Sequence, residues 1–405
     1  MPNPCIEQSD KLSTDWSAWL AVLSVAAGTF LLVTSEFLPI GLLTPMAASL
    51  GITDGVAGLS VTVPGIVAAF AAPGLTLVAG RLDRRLMLLY MTILICASNL
   101  IVSVAADVPT LLIGRVFLGL AVGGFWTFAV SAGRRLVDET SGARATALIS
   151  AGISIGMIFG IPAGSQLGAW LGWHQAFLGS AVLGLLVLIA QFVWVPSLPV
   201  QQAVGVRHLR ALFSIAKARI GLLTILFLFA GQFAGYTYFE PFLHSVQGVE
   251  QSTVTRLLFA YGLFGVLGNF FAEAAVAKGI RHAFIGAAAL LGTTILLGGL
   301  LVQGPMSAYV LASVWGFAFG MVPVCMQVWM YQAAPQRYES GAALFVSVAQ
   351  IALSLGAYTG GLMIDSLGQI GTLIGAGVLC LIAAVLLACL SKDSKNVNPI
   401  VVTTD

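Results

Sequence analysis

The chain has 405 residues, of which 59% are apolar and 8% charged, with a formal net charge of +2. A soluble domain carries about 25% charged residues, so this composition, with a mean hydropathy of +0.99, excludes an ordinary water-soluble fold. The near-neutral balance offers no basic surface for nucleic acid, and 46 glycines suit helices that pack closely in lipid.

Twelve apolar runs can be drawn, at 17–47, 54–79, 86–105, 109–133, 143–168, 174–195, 219–243, 254–277, 283–302, 306–332, 340–364 and 370–390. Each is near the roughly 20 residues that a helix needs to cross a bilayer. The predicted architecture is an all-α membrane protein of two six-helix bundles. A polar tail (1–15) precedes the first bundle (16–196). A linker (197–218) leads to the second bundle (219–391), and a tail (392–405) follows. The first run is too long for a cleavable signal. With both termini cytoplasmic, 16 of the 18 Lys and Arg residues fall on the inside, in clusters such as Arg81 to Arg85, Arg134 to Arg144 and Arg207 to Arg219. Asp54, Asp107, Glu250 and Asp365 fall on the outer turns. That bias follows the positive-inside rule and predicts a multi-pass protein of a bacterial inner membrane.

In the first run stands Thr34-Ser35-Glu36-Phe37-Leu38-Pro39. An ionised carboxylate is costly in hydrocarbon, so Glu36 faces a cavity, finds a partner or carries a proton. The fourth run holds Arg115, about 9 Å from its outer end, while Glu36 lies about 15 Å from the same face at 1.5 Å per residue. An arginine side chain spans that difference. Arg115 is therefore expected to approach Glu36, keep it ionised in one state and release it for protonation in another; the alternative is a fixed Glu-Arg brace. Trp126 lies in the same run, at or near cavity depth.

The fifth run carries Gly152, Gly156, Gly160 and Gly164, one every four residues, with Pro162 among them. Such a stripe admits a neighbouring backbone and lets the pair slide or rock, and the proline favours a bend; ordinary tight packing is the alternative. The second half repeats the first. Gly160, Gly164 and Gly172 match Gly356, Gly360 and Gly368 at an offset of 196, and Gly119 and Gly123 match Gly316 and Gly320 at 197. Glu36 before Pro39 has a looser echo in Glu240 before Pro241. Internal repeats of this kind mark secondary transporters, with a binding site near midplane between the halves.

In the seventh run Gln232, Tyr236 and Glu240 can hydrogen-bond a polar solute and stack on a ring. Tyr238 reads equally as an interfacial aromatic. Trp315, Gln327, Trp329 and Gln350 lie at or near cavity depth. As a set with Trp126 they suggest a pocket for a neutral, flat, polar solute. Glu273 and Lys278 read as a structural ion pair. None of the four histidines is mid-membrane, and no phosphate-cradling loop, Ser-His-Asp grouping or metal-ligand spacing occurs. The five cysteines read as small packing residues. No cofactor, metal or enzymatic activity is expected.

Several stretches resemble the major facilitator superfamily, and within it the drug:H+ antiporters. The glycine-proline pattern from Gly152 to Gly168 resembles their antiporter motif, with Ile161 between Gly160 and Pro162. Leu112 to Gly119 resembles the motif with a membrane arginine, here Arg115. Gly80-Arg81-Leu82-Asp83-Arg84-Arg85 resembles the loop motif in degenerate form, with Gly80 where the family has an acid. Glu36 to Pro39, Leu42 to Ala47, Gly55 to Val63, Gly123 to Trp126 and Ala230 to Ala234 are similar to bacterial sugar and purine ribonucleoside efflux carriers. The resemblance implies alternating access about a cavity lined by runs 1, 4, 7 and 10, and export of a small polar solute by proton antiport. Purine ribonucleosides or analogues are the first expectation. Sugar or multidrug efflux and a facilitative uniporter are the alternatives. It also implies a monomer in the lipid bilayer, with protons and a small-molecule substrate as its partners.

Overall fold

The computed structural model describes residues 4–78, 82–138, 141–199, 215–333 and 338–391, and these are helical almost throughout. The long helices follow the predicted runs. In the first half they are α1 (Pro4–Phe37), α2 (Leu59–Val78), α3 (Arg84–Ser103), α4 (Val108–Arg134), α5 and α6 (Trp173–Trp194). Helix α5 comprises Gly142–Ile155, a π-helical turn at Gly156–Gly160 and Ile161–Leu171. In the second half come α7 (Ala216–Tyr236), α8 (Gln251–Lys278), α9 (Ile280–Leu301) and α10 (Pro305–Ala333). The last stretch, Tyr338–Leu390, is broken at Gly368 (φ 71, ψ −176), so α11 precedes that glycine and α12 follows it. Counted by helix, 11 candidate membrane spans are present among the described residues; the break at Gly368 divides the last and restores twelve. Arg81, most of the linker, Arg337 and the tail 392–405 lie outside the described residues.

Helix starts are set by local chemistry. Asp107 accepts from Thr110 N (2.8 Å) and caps α4, and Asp83 accepts from Arg85 N (2.7 Å) and caps α3. These side chains satisfy amides that no helical carbonyl reaches. Helix α1 ends where Pro39 forces a 3-10 turn, Leu38–Gly41, and the chain continues as a short helix, Leu43–Leu50.

The repeat is visible as contacts. On α5, Gly160 and Gly164 receive Thr34 and Leu38 of α1; on α11, Gly356 and Gly360 receive Ala230 and Ala234 of α7. All four positions advance by the same 196 residues. Gly119 and Gly123 of α4 face the Pro64 and Ala68 carbonyls of α2, and Gly316 and Gly320 of α10 face those of Tyr261 and Gly265 in α8, each 197 further on. Gly172 and Gly368 make corresponding turns with φ 96 and 71. The two halves are therefore one helical unit built twice.

Each half has an apolar core, and the core of the second half extends across the seam to take in Val33, Phe37, Ile40, Val61 and Ile161. The halves meet through α2 against α11 and α5 against α8, with α1 facing α7 along the pseudo-twofold axis. Residues related by the repeat touch each other on that axis. Phe37 stacks on Phe233 with ring centroids 5.6 Å apart, and Thr44 bonds Glu240, 196 residues away.

Candidate functional site

Among the described residues, one end of the bundle carries Asp54, Asp107, Glu250 and Asp365, and the other carries Arg84, Arg85, Arg135, Arg144, Lys217, Arg219, Lys278 and Arg281. At the acidic end the seam is closed by hydrogen bonds between the halves. Glu240 Oε2 accepts from Thr44 N (3.0 Å) and Thr44 Oγ1 (2.8 Å), while its Oε1 pairs with His244 Nε2 at 2.9 Å. Asp365 accepts from Thr53 Oγ1 (2.8 Å) and Gly55 N (3.2 Å). Gln251 Nε2 donates to Ser165 Oγ at 3.3 Å. At the basic end, hydrogen bonds between described residues stay within one half, such as Arg135 to the Pro199 carbonyl (2.6 Å) and Lys217 to Gln332 (3.0 Å).

Glu36 is 3% exposed and sits on the seam. Its Oε1 accepts from Gln350 Nε2 of α11 at 3.2 Å, a bond between the two halves. Arg115 is fully buried but does not bond that carboxylate. It donates to three backbone carbonyls: Ser60 through Nε (2.5 Å), Ser35 (2.9 Å) and Glu36 (2.9 Å). Proline explains the choice. A proline leaves the carbonyl four residues earlier without its helical donor. Pro39 does this to Ser35, and Pro64 does it to Ser60; the Glu36 carbonyl is in the last turn of α1, where helical partners run out. The guanidinium fork thus fastens α4 to the irregular stretches of α1 and α2. The expected approach of Arg115 to Glu36 is found at its main chain, and the side chain of Glu36 is left to face the other half.

The remaining candidates fall into separate places. Gln232 donates to Tyr261 (2.7 Å) and accepts from Trp315 Nε1 (2.7 Å). Tyr236 stacks on Tyr261 with centroids 4.3 Å apart, and Phe239 packs 4.9 Å from Trp315. This cage is buried in the second half, where the polar groups of Gln232, Tyr261 and Trp315 bond one another and Tyr236 contributes its ring. Gln327 is exposed, twelve residues along α10 from Trp315, about 18 Å at 1.5 Å per residue. Trp126 is half-buried and packs against the cores of both halves, with no partner for its indole nitrogen. The structure therefore brings Glu36 and Arg115 together, and Gln232, Tyr236 and Trp315 together, but not all into one pocket. Nor are Glu36 and Glu240 counterparts: at the 196-residue offset Glu36 corresponds to Gln232, and Glu240 to Thr44. That offset, applied to Glu240, is the signal that would have found Thr44. Gln350 was expected at or near cavity depth as one of a set, but nothing in its spacing pointed to Glu36 as its partner.

The glycine stripe of α5 is a groove for α1. Positions 152, 156, 160, 164 and 168 receive Ala26, Phe30, Thr34, Leu38 and Leu42 in turn. The π turn before Pro162 absorbs the backbone bond that the proline cannot make. The opposite side of α5 meets α8, where Gly262 lies against the Met157 and Ile158 backbone. In the loop motif, Asp83 holds the start of the linker. It accepts from Ser197 Oγ and from Leu198 N, the latter at 2.9 Å. Slight desolvation works against ionisation, but the Ser197 hydroxyl and the Leu198 and Arg85 amides outweigh it and keep this carboxyl below its usual range. Arg85 donates to the Phe192 carbonyl (2.7 Å), and Arg84 lies 4.6 Å over the Phe128 ring.

Residues 25–357 match the model of the Major Facilitator Superfamily. The chain is 36% identical over 372 residues to the purine ribonucleoside efflux pump NepI of Salmonella enteritidis PT4, covering 91% of this chain and 93% of that protein. The same figures hold for NepI of Salmonella gallinarum and Salmonella typhi. In fold it is similar to a bacterial homologue of the human lysosomal transporter Spinster in an inward-facing, unoccupied conformation (TM-score 0.79, 16% identity, 93% of this chain and 97% of that one). It is also similar to a D-xylose-proton symporter (TM-score 0.72, 17% identity, 91% and 97%). With a family match over most of its length and a multi-pass helical fold of two equivalent halves, the chain belongs to the Major Facilitator Superfamily and is a membrane transporter, not an enzyme.

Proposed function

We propose that this transporter exports purine ribonucleosides or close analogues across a bacterial inner membrane in exchange for protons, by alternating access. The observation that carries the coupling is Glu36: an ionisable side chain buried on the seam, bonded to the opposite half rather than locked to an arginine. The substrate class is supported by relatives named purine ribonucleoside efflux pumps, alignable over 91% of this chain. In this reading the acidic end faces the periplasm, both termini are cytoplasmic, and the conformation is inward-facing. The bundles 16–196 and 219–391 rock as a monomer in the bilayer, joined by the linker 197–218.

The residue roles follow from position. Glu36 carries the proton, and Arg115 holds the helix break that presents it. Trp126, touching both cores, and Gln327, exposed on α10, line the route from the cytoplasm. Gln232, Tyr236 and Trp315 are consumed by one another here and meet the solute after the halves have swung. Glu240 lets go of Thr44 in that swing. The glycine groove keeps α1 and α5 together while α5 moves against α8, and Asp83, Arg84 and Arg85 tie the linker to the first half.

The test uses everted vesicles, in which export appears as uptake. Inosine should accumulate when the vesicle interior is acid and should be released by a protonophore. Glu36→Gln should abolish gradient-driven accumulation while inosine counterflow at equal pH persists. Full accumulation by that variant overturns the coupling, and a preference for arabinose over inosine overturns the substrate class.

A further inference from the structure

Among the described residues, Gln350 is the one polar group of the second half that hydrogen-bonds the Glu36 carboxylate. It is 9% exposed, on α11, with Ser354 Oγ donating to its main-chain carbonyl at 2.8 Å. Helix α2 lies directly behind it: a side-chain carbon at Gly65 would run into Ser354 and approach the Gln350 carbonyl at 3.1 Å. Gln350 is therefore held at the seam by its neighbours rather than by its bond to Glu36. Its amide nitrogen donates to Glu36 Oε1 at 3.2 Å, and its own Oε1 is buried with no partner. A carboxamide has donors and an acceptor side by side. Only the donor is in use.

That unused acceptor belongs to the same amide that already bonds the acid and lies against α2, where a side-chain carbon at Gly65 would come within 3.4 Å of it; the acid's second oxygen can carry a hydrogen. We propose that Gln350 is a positioning residue that reads the protonation state of Glu36 and converts it into closure of the periplasmic side; this rests on Glu36 being the proton carrier. With Glu36 ionised, one hydrogen bond joins the halves at this point. When the carboxylate takes up a proton from solvent, the new O–H donates to Gln350 Oε1 while the amide N–H goes on donating to the other carboxyl oxygen. Two parallel bonds then close a ring between α1 and α11, and the formerly unsatisfied oxygen is satisfied. Loss of the proton to the cytoplasm breaks the second bond and frees the halves to swing. The direction suits an exporter, because the protonated carrier must return to the inward-facing form. The charged group that faces Glu36 from its own half is Arg115, occupied by carbonyls; the helix from the other half brings only the neutral amide. One added hydrogen bond corresponds to a roughly two- to tenfold shift in the closed-to-open ratio.

The experiment places spin labels at Ser49 and Gln247, both exposed at the periplasmic end, in nanodiscs. The parent carries His244→Gln, which removes the other titratable pair on this seam. In that parent the closed-to-open ratio should rise roughly two- to tenfold as pH falls. Gln350→Met, matched in size, should flatten the response and favour the open form, while proton release on adding inosine persists. Glu36→Gln, an amide that offers donor and acceptor at every pH, should hold the closed-to-open ratio near the parent's low-pH value at every pH, still opening often enough for counterflow. If Gln350→Met keeps the parent's pH response, or Glu36→Gln opens as the parent does at high pH, the proposal is overturned while proton coupling stands. If Glu36→Gln still accumulates inosine from a pH gradient, the coupling itself fails and the proposal falls with it.

Discussion

Arg115 illustrates how a charge can be buried without a counter-ion. A guanidinium carries five donors in a fixed fork, and here three of its hydrogen bonds end on carbonyls, two of them stripped of their helical donors by Pro39 and Pro64. Lysine is a poor substitute, because its ammonium is a compact point charge with no planar fork. Arg115→Lys should leave at least one carbonyl buried and unpaired, at a cost of about 1–3 kcal/mol, read as a lowered melting temperature in detergent. Pro39→Ala restores an N–H four residues beyond Ser35. Combined with Arg115→Lys it should recover part of the loss, although alone it should gain little. Equal melting of Arg115→Lys and the parent, or no recovery in the double variant, would show that the arginine is not there for the carbonyls.

At the level of helices, the glycine grooves differ in what fills them, and that difference is testable. A methyl at Gly160 would meet the side chain of Thr34, first its hydroxyl, which has no partner, and then its β and methyl carbons at 2.9 Å, all atoms of a side chain that a small shift can move. A methyl at Gly320 would meet the Gly265 carbonyl on α8, part of a helix backbone that cannot step aside. Overpacking costs about 1–3 kcal/mol. Gly320→Ala should therefore fall near the upper value and Gly160→Ala near or below the lower, compared by thermal melting, with Thr34→Ala relieving the second and having no effect on the first. A larger loss from Gly160→Ala would contradict the contact reading. The same helices mark how far the sequence could be read. Hydropathy located the spans because lipid admits few other patterns, and the spacing of Gly119, Gly123, Gly160 and Gly164 against their later counterparts exposed the repeat. The groups around Glu36 were not legible in this way. Arg115 was expected at the carboxylate because side-chain charge suggests pairing, whereas its partners are main-chain atoms made available by prolines in two other helices. Gln232 and Trp315 looked like lining because sequence depth says nothing of which way a side chain turns within its bundle; both turn inward to each other and to Tyr261.

For the whole molecule, what matters is the balance of contacts that hold one end of the two halves together. Alongside an apolar contact of Leu43, Ala47 and Ala57 with Tyr238 and Ile364, the hydrogen bonds across that end are concentrated on Glu240 and Asp365, so small changes in charge should be felt as changes in conformation. His244 stands in the short helix Phe239–Ser245, beyond the end of α7. Its hydrogen bond to Glu240 raises its pKa above the ordinary 6.5, against the opposing effect of partial burial, and the nearby Asp54 adds to the rise. The sign follows. A group with a raised folded-state pKa stabilises fully below its unfolded value and loses that contribution as pH climbs through the folded one. The closed seam should therefore weaken between about pH 6.5 and the higher pKa of His244. As the imidazolium is lost, the bond from His244 to Glu240 loses its charge, and only the bonds from Thr44 are unchanged. His244→Gln should remove that portion of the pH dependence, seen as a flatter plot of melting temperature between about pH 6 and 9, while Glu240→Gln should lower the melting temperature at pH 6, where the ion pair is intact. Asp365, bonded to Thr53 and Gly55 without a histidine, provides the contrast: Asp365→Asn should weaken the seam equally at both ends of that range. If parent and His244→Gln show the same slope, the histidine is not part of what holds the acidic end of the seam shut.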